Sequence, residues 1–303
     1  MPTLAANIKA FLEQQQLPGS YRLQVEGYFL PFIQKIEPSI RRGELQVLGI
    51  HGAQGSGKST LSEFFSWYLR GRGLTVAQVS LDDFYLRKAE RQRLAVVQPL
   101  FKTRGVPGTH DITLAKSTLR QMSGLAAGEE IRLPRFDKLM DDRSPENEWP
   151  RQRGPVDLII FEGWCVAAPP QSESELASEV NELERDEDAQ GLWRQAVNEA
   201  LAEDYQVLWS ALDYLLMLQA PGFSCVANWR LEQEQRLAAK HPAGGVALRA
   251  MDQAEVTRFV SHYQRLTEHC LRQLPAQADC VMTMNAERTI VDMRYRHHEV
   301  YRD

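Results

Sequence analysis

Between Leu45 and Thr60 the chain reads Leu-Gln-Val-Leu-Gly-Ile-His-Gly-Ala-Gln-Gly-Ser-Gly-Lys-Ser-Thr, an apolar run that opens into a glycine-rich turn ending in Lys-Ser-Thr. Gly52, Gly57, Lys58 and Ser59 fit the spacing G-x-x-x-x-G-K-[ST], whose chemistry is the holding of phosphate. Backbone N–H groups of such a turn wrap an anion, here along Gly52, Ala53, Gln54, Gly55, Ser56, Gly57, Lys58, Ser59 and Thr60. The Lys58 ammonium reaches the outer phosphates, and the Ser59 hydroxyl holds Mg²⁺. Glycine is needed where the backbone must come close to the anion at φ angles that a Cβ forbids. A helix starting at Lys58 would add the positive end of its dipole.

Local pattern places this turn between a strand and a helix. Val47, Leu48 and Ile50 form a short apolar run suited to a buried parallel strand. Leu61, Phe64, Phe65, Tyr68 and Leu69 recur at helical spacing until Gly71, a fitting C-cap. Further strands are expected at Thr75–Ser80, Val156–Phe161, Tyr214–Leu218 and Cys280–Met284. Five strands interleaved with helices imply an α/β fold, an open parallel sheet covered on both faces. Residues 1–42 read as a helical preface, with Ile8, Phe11 and Leu12 on one stripe and a break at Pro18-Gly19.

In open parallel sheets ligands sit beyond the carboxyl ends of the strands. Asp82, Asp83 and Tyr85 follow the second expected strand, and Glu162 follows the third. Phosphoryl transfer needs a proton acceptor for the attacking hydroxyl and a metal to neutralise phosphate charge. Asp82 is the candidate base and Glu162 the metal-side acid acting through water, with these two roles open to exchange. Asp83 reads as a cap or supporting partner. Residues 82–155, rich in Pro, Gly and charge, are too long for a simple crossover and read as a substrate-binding excursion with its own helix at Asp111–Met122.

Within that excursion His110, Arg135, Lys138 and Arg143, together with Asp83, Tyr85 and Asp111, are the candidate acceptor-binding residues. Their cations suit a small anionic hydroxy acid. Arg135 and Arg143 have an alternative, pairing with Asp137, Asp141 or Asp142 at the surface. Arg230, after the turn Ala220-Pro221-Gly222, is either a lid arginine aimed at the transferred phosphoryl group or a solvated helix residue. The acidic run 171–190, within an expected helical insertion 171–210, reads as a solvated helix face or loop.

Composition narrows the classes. The chain has 303 residues, 43% hydrophobic and 25% charged, enough for an ample core in a single expected domain. Its net charge of −5 offers no basic footprint for nucleic acid or an anionic membrane surface. Cys165, Cys225, Cys270 and Cys280 are widely spaced, which indicates neither a zinc cluster nor a disulfide framework. With no signal-peptide layout and no stretch long enough to span a bilayer, a cytoplasmic setting is expected.

His51-Gly-Ala-Gln-Gly-Ser-Gly-Lys-Ser-Thr60, Ser80-Leu-Asp-Asp-Phe-Tyr85, Pro107-Gly-Thr-His-Asp111, Leu133-Pro-Arg-Phe-Asp-Lys138, Phe161-Glu-Gly-Trp164, Val197-Asn198 with Tyr205, and Asn228-Trp-Arg-Leu231 together resemble the phosphoribulokinase, uridine kinase and pantothenate kinase group of P-loop kinases. Within it the resemblance is to plant-type D-glycerate 3-kinases. It implies a three-layer P-loop NTPase fold with a five-stranded parallel core, and ATP with Mg²⁺ as the phosphoryl donor. It also implies a catalytic acid at Asp82, a magnesium-side acid at Glu162 and a lid arginine at Arg230 over a lid range 221–262. D-glycerate is then the expected acceptor, with another small hydroxylated metabolite, or a regulatory nucleotide-binding ATPase, as the alternatives.

Overall fold

The computed structural model describes residues 4–240 and 253–296, the backbone alone over 233–240. Six strands form the central sheet: β1 (Val47–Gly52), β2 (Val76–Ser80), β3 (Leu158–Gly163), β4 (Tyr214–Gln219), β5 (Cys280–Met284) and β6 (Ile290–Tyr295). Their order is β6-β5-β4-β1-β3-β2. The five expected strands are parallel, and β6 adds an antiparallel edge through a short turn from β5. That edge escapes an apolar-run search because Val291, Asp292 and Arg294 face solvent.

The principal helices are α1 (Leu4–Gln14), α2 (Leu30–Arg41), α3 (Lys58–Arg70), α4 (Lys88–Val97), α5 (Ile112–Ser123), α6 (Leu192–Ala200), α7 (Phe223–Lys240) and α8 (Gln253–Gln273). Side chains alternate across each strand, so both faces of the sheet must be covered. Leu48, Ile50, Ile160 and Leu216 pack on one face with Phe11, Phe32 and Ile33 of α1 and α2 and with Phe64 and Phe65 of α3. Val47, Ile159, Phe161 and Met217 pack on the other with Leu119 of α5, Tyr205, and Leu266 of α8. Residues 1–42 are therefore more than a preface. Their described part, from Leu4 onward, supplies much of one core layer.

Three aspartates secure the amino end of the sheet. Asp157, Asp213 and Asp279 each stand directly before a strand and accept a backbone N–H from a neighbouring segment: Thr75 at 2.6 Å, Val47 at 2.8 Å and Leu215 at 2.8 Å. These bonds satisfy donors that lie beyond the ladder. Chemistry is left to the opposite, carboxyl end.

The excursion between β2 and β3 contains α4, α5 and two small antiparallel pairs, Glu130–Arg132 with Arg151–Arg153 and Phe136–Asp137 with Asp142–Arg143. Asp111 caps α5 by accepting the Leu114 N–H at 2.9 Å, so this helix begins one residue later than expected. Arg91 of α4 is buried and donates to the carbonyls of Leu86, Lys102 and Asp141, tying the excursion to itself.

Most of the acidic run is solvated, as expected, but two of its acids are not. Glu184 is fully buried and accepts from Arg265 of α8 at 2.7 and 2.6 Å, while Asp188 pairs with buried Arg194. Two of the run's eight acids are thus structural, serving as counter-ions to arginines that the fold buries. Replacing Glu184 with Ala leaves the Arg265 guanidinium buried without its carboxylate. Such losses cost about 3–5 kcal/mol, and equilibrium urea unfolding of Glu184→Ala is expected to show a fall of that size.

Candidate active site

β1 ends at Gly52, and the chain turns through Ala53, Gln54, Gly55 and Ser56 into α3. A Cβ on Gly52 would lie 2.6 Å from Ser56 Oγ and 3.2 Å from Leu218 Cβ, so only glycine permits this close approach. Gly57 adopts φ 88°, ψ 11° as the N-cap of α3 and places no side chain on the helix N-terminus. The first amides of α3, at Lys58, Ser59 and Thr60, thus lack a side-chain cap and are left for an anion.

Glu162 lies in β3 between Ile50 of β1 and Ser80 of β2, its register partners. Its Oε1 accepts from the Ser59 hydroxyl at 3.2 Å, and Lys58 Nζ stands 3.8 Å from its Oε2. That Oε2 is buried and has no hydrogen-bond partner among the described residues. An orphaned carboxylate oxygen beside a serine hydroxyl and a phosphate cradle fits the donor set of a hydrated Mg²⁺, a hard cation that prefers oxygen.

β2 ends in a tight 3₁₀ turn, Leu81–Phe84, that separates the roles of the two aspartates. Asp83 turns back, accepting the Ser80 N–H at 3.3 Å and Arg135 Nη1 at 2.9 Å. Burial pushes its carboxyl up from the ordinary value, against the pull of Arg135. Asp82 faces the site, accepting the Tyr85 hydroxyl at 2.7 Å on Oδ1 and Lys138 Nζ at 2.7 Å on Oδ2. Burial raises its pKa, but the charges of Lys138 and Lys58 outweigh this and hold it well below the usual carboxylate range. The same attraction to Asp82 raises the Lys138 ammonium. A carboxylate has roughly four lone-pair positions, so Asp82 can accept a further hydrogen bond, such as one from a hydroxyl, while keeping both of these.

His110 is buried, stacked on Tyr85 with ring centroids 4.7 Å apart. Its Nδ1 lies 2.6 Å from the Tyr205 hydroxyl, which also accepts the Gly108 N–H at 3.1 Å. Burial lowers the imidazole to about 3, so the ring is neutral near pH 7, and its Nε2 has no protein partner among the described residues.

Arg135 and Arg143 are brought to the site's edge but are committed to partners. Arg143 donates to Asp111 at 3.1 Å and to the Tyr85 carbonyl at 3.0 Å. Neither arginine pairs with Asp137, Asp141 or Asp142, the surface partners considered from the sequence. They brace Asp83 and Asp111, leaving Lys138, Tyr85 and His110 as the polar groups turned toward Asp82. Arg230 of α7 lies with its guanidinium over the Phe259 ring at 5.0 Å, and its charge acts on Tyr263. The range 221–262 includes 241–252, which lie outside the described residues.

Several site residues carried no usable local signal. Arg104 pairs with Asp141 and lies 5.4 Å from the Phe136 ring centroid, and Tyr263 donates to the Arg104 carbonyl at 2.8 Å. Gly105, at φ 127°, would place a Cβ 2.2 Å from the Tyr263 hydroxyl, so the tyrosine packs where only glycine fits. An aromatic on an amphipathic helix gives no hint of this. Beside the phosphate cradle a cavity of about 670 Å³ opens, walled by residues 17–24, 55–60 and 287–289 and by Glu232.

No family model matches the chain. It is 37% identical over 227 residues to the uncharacterized kinase mug58 of Schizosaccharomyces pombe, covering 72% of this chain and 78% of that protein. It is 29% identical over 249 residues to the chloroplastic D-glycerate 3-kinase of Arabidopsis thaliana, covering 80% of this chain and 49% of the plant protein. The solved structure of D-glycerate 3-kinase from Cryptococcus neoformans var. grubii matches with a TM-score of 0.71 at 26% identity, covering 88% of this chain and 99% of that one. With a phosphate cradle, five parallel strands and acids at two strand ends, the chain belongs to the family of P-loop kinases that includes mug58 and the D-glycerate 3-kinases.

Proposed function

We propose that this kinase transfers the γ-phosphoryl group of ATP to a hydroxyl of D-glycerate, giving 3-phosphoglycerate and ADP. Asp82 carries the reading: an ionised strand-end carboxylate with unused lone pairs, acted on by Lys58 of the phosphate cradle and bonded to Lys138 of the excursion. Residues 82–155 then form the acceptor-binding part of the protein. The similarity to D-glycerate 3-kinases supports the choice of acceptor.

In this mechanism the amides of residues 52–60 hold the nucleotide phosphates, and Lys58 stabilises the charge that collects on the transferring group. Mg²⁺, held by Ser59 and by Glu162 through water, would neutralise charge on the β and γ oxygens. Asp82 accepts the hydroxyl proton. A carboxylate of depressed pKa is a weak base, which suits a loose transition state in which the proton leaves late. Lys138 pairs with the acceptor's carboxylate while remaining close to Asp82, and His110 Nε2 bonds a second acceptor oxygen. Arg230 approaches the transferred group from α7.

A coupled ADP-release assay over hydroxy acids, nucleosides, pantothenate and sugar phosphates is expected to show turnover with D-glycerate. Turnover confined to another acceptor would move the substrate assignment, and hydrolysis indifferent to every acceptor would favour a regulatory ATPase. Lys58→Ala and Asp82→Asn are each expected to lower kcat by about two orders of magnitude or more. An Asp82→Asn rate close to wild type would take the base role away from Asp82.

The pH profile tests the same carboxylate. Lys138→Met removes the largest downward pull on Asp82 and leaves burial opposed by Lys58. The folded pKa therefore rises, and below it the protonated acid can no longer accept a proton. Relative to wild type, kcat/KM of the variant is expected to fall progressively as pH is lowered from 8 toward 5. A ratio independent of pH would show that Lys138 does not keep the base ionised.

A further inference from the structure

The nucleotide cradle accounts for the floor of the cavity beside α3 but not for its other walls. One wall is built by Leu17, Pro18, Ser20, Tyr21, Leu23 and Gln24, which flank the Pro18-Gly19 break and lie outside the strand–turn–helix unit. The volume of about 670 Å³ lies within the roughly 300–1,000 Å³ that small-molecule sites occupy. Leu23 is 72% exposed on this wall, an uncovered apolar side chain at the mouth of a polar cradle.

Three contacts fix the wall in place. Gln24 Oε1 accepts the Ile290 N–H at 2.6 Å, joining the N-terminal segment to the start of β6, immediately after the turn 287–289 that forms the adjoining wall. The Tyr21 ring packs edge-on against Phe29, with centroids 5.8 Å apart. Its hydroxyl reaches the cradle so closely that a Cβ on Gly57, the N-cap of α3, would lie 3.9 Å from it. A π-helical turn, Val25–Phe29, follows directly, an irregularity that recurs at functional positions.

Building on the kinase reading, we propose that residues 17–24 form part of the nucleotide site, with the apolar wall at Leu17 and Leu23 covering the nucleoside and the Tyr21 hydroxyl donating a hydrogen bond to a phosphate or ribose oxygen. Burial raises the Tyr21 phenol to about 12, so it stays protonated and donates to an anion rather than repelling it. Tyr21 is thus a nucleotide-binding residue supplied from outside the phosphate-binding motif.

Calorimetric titration of the full chain with ADP tests this, comparing wild type, Tyr21→Phe and Lys58→Ala. Tyr21→Phe keeps the ring and removes the hydroxyl, and it is expected to weaken ADP binding about five- to tenfold. It should raise the KM for ATP by a similar factor and leave the acceptor KM unchanged. Amides 19–24 are expected to exchange more slowly with ADP bound. Tyr21→Phe within twofold of wild type, with Lys58→Ala weakened, would overturn the Tyr21 assignment and leave the kinase reading standing. No ADP binding by wild type would overturn both.

Discussion

Asp82 and Glu162 stand at the ends of neighbouring strands, and burial would raise the Asp82 carboxyl were it not for the cations that face it. Ser80 and Glu162 are register partners, so the parallel sheet itself brings the acids together. Lys58 approaches from the helix side and Lys138 from the excursion. This balance explains the placement of the small pair Phe136–Asp137 with Asp142–Arg143, which carries Lys138 in its connection. Arg135 joins that element to Asp83, Arg143 joins it to Asp111, and Arg91 and Arg104 hold Asp141. The small pair 136–143 is thus fastened to the sheet edge by charge pairs and hydrogen bonds, whereas α5 of the same excursion is held in the apolar core.

Committing Arg135 and Arg143 to aspartates changes what can recognise an anion. A guanidinium that is already paired within the protein has less to offer a ligand, and separating it would expose its partner. Lys138 is different, because its side chain is largely exposed and its partner is Asp82, the proposed catalytic carboxylate. In the proposed mechanism an acceptor carboxylate takes a share of the Lys138 charge, which weakens that cation's hold on Asp82. Binding of the acceptor would then make Asp82 a better proton acceptor at the moment a hydroxyl lies beside it.

The cradle and the sheet were legible in the sequence because both are written locally. Gly52, Gly57, Lys58 and Ser59 sit within eight residues, and each parallel strand is an apolar run whose two faces are buried. Asp82 and Glu162 follow from knowing where such strands end. The choice of partner for Arg135 and Arg143 was not legible, since Asp83 lies 52 residues from Arg135 and several nearer acids compete on paper. The buried pairing of Glu184 with Arg265, 81 residues apart, was hidden for the same reason, and an acidic run looked solvated. Tyr263 was hidden differently: its spacing on α8 is that of an ordinary core residue, and only the fold brings it against Gly105.

The N-terminal helices also bear on how this enzyme can move. Phe11 meets Phe64 at 5.4 Å, Phe29 meets Phe64 and Phe65 at 5.8 and 6.3 Å, and Phe32 stacks on Phe65 at 5.3 Å. Phe64 and Phe65 belong to α3, the helix whose N-terminus is the phosphate cradle. A close-packed aromatic cluster of this kind resists sliding, because a small displacement forfeits many contacts at once. The N-terminal wall and the cradle therefore behave as one body. In the proposed mechanism a rearrangement that brings acceptor and phosphate together falls to the charge-fastened pair 136–143, where exchanging one ion pair for another involves far less loss of packing.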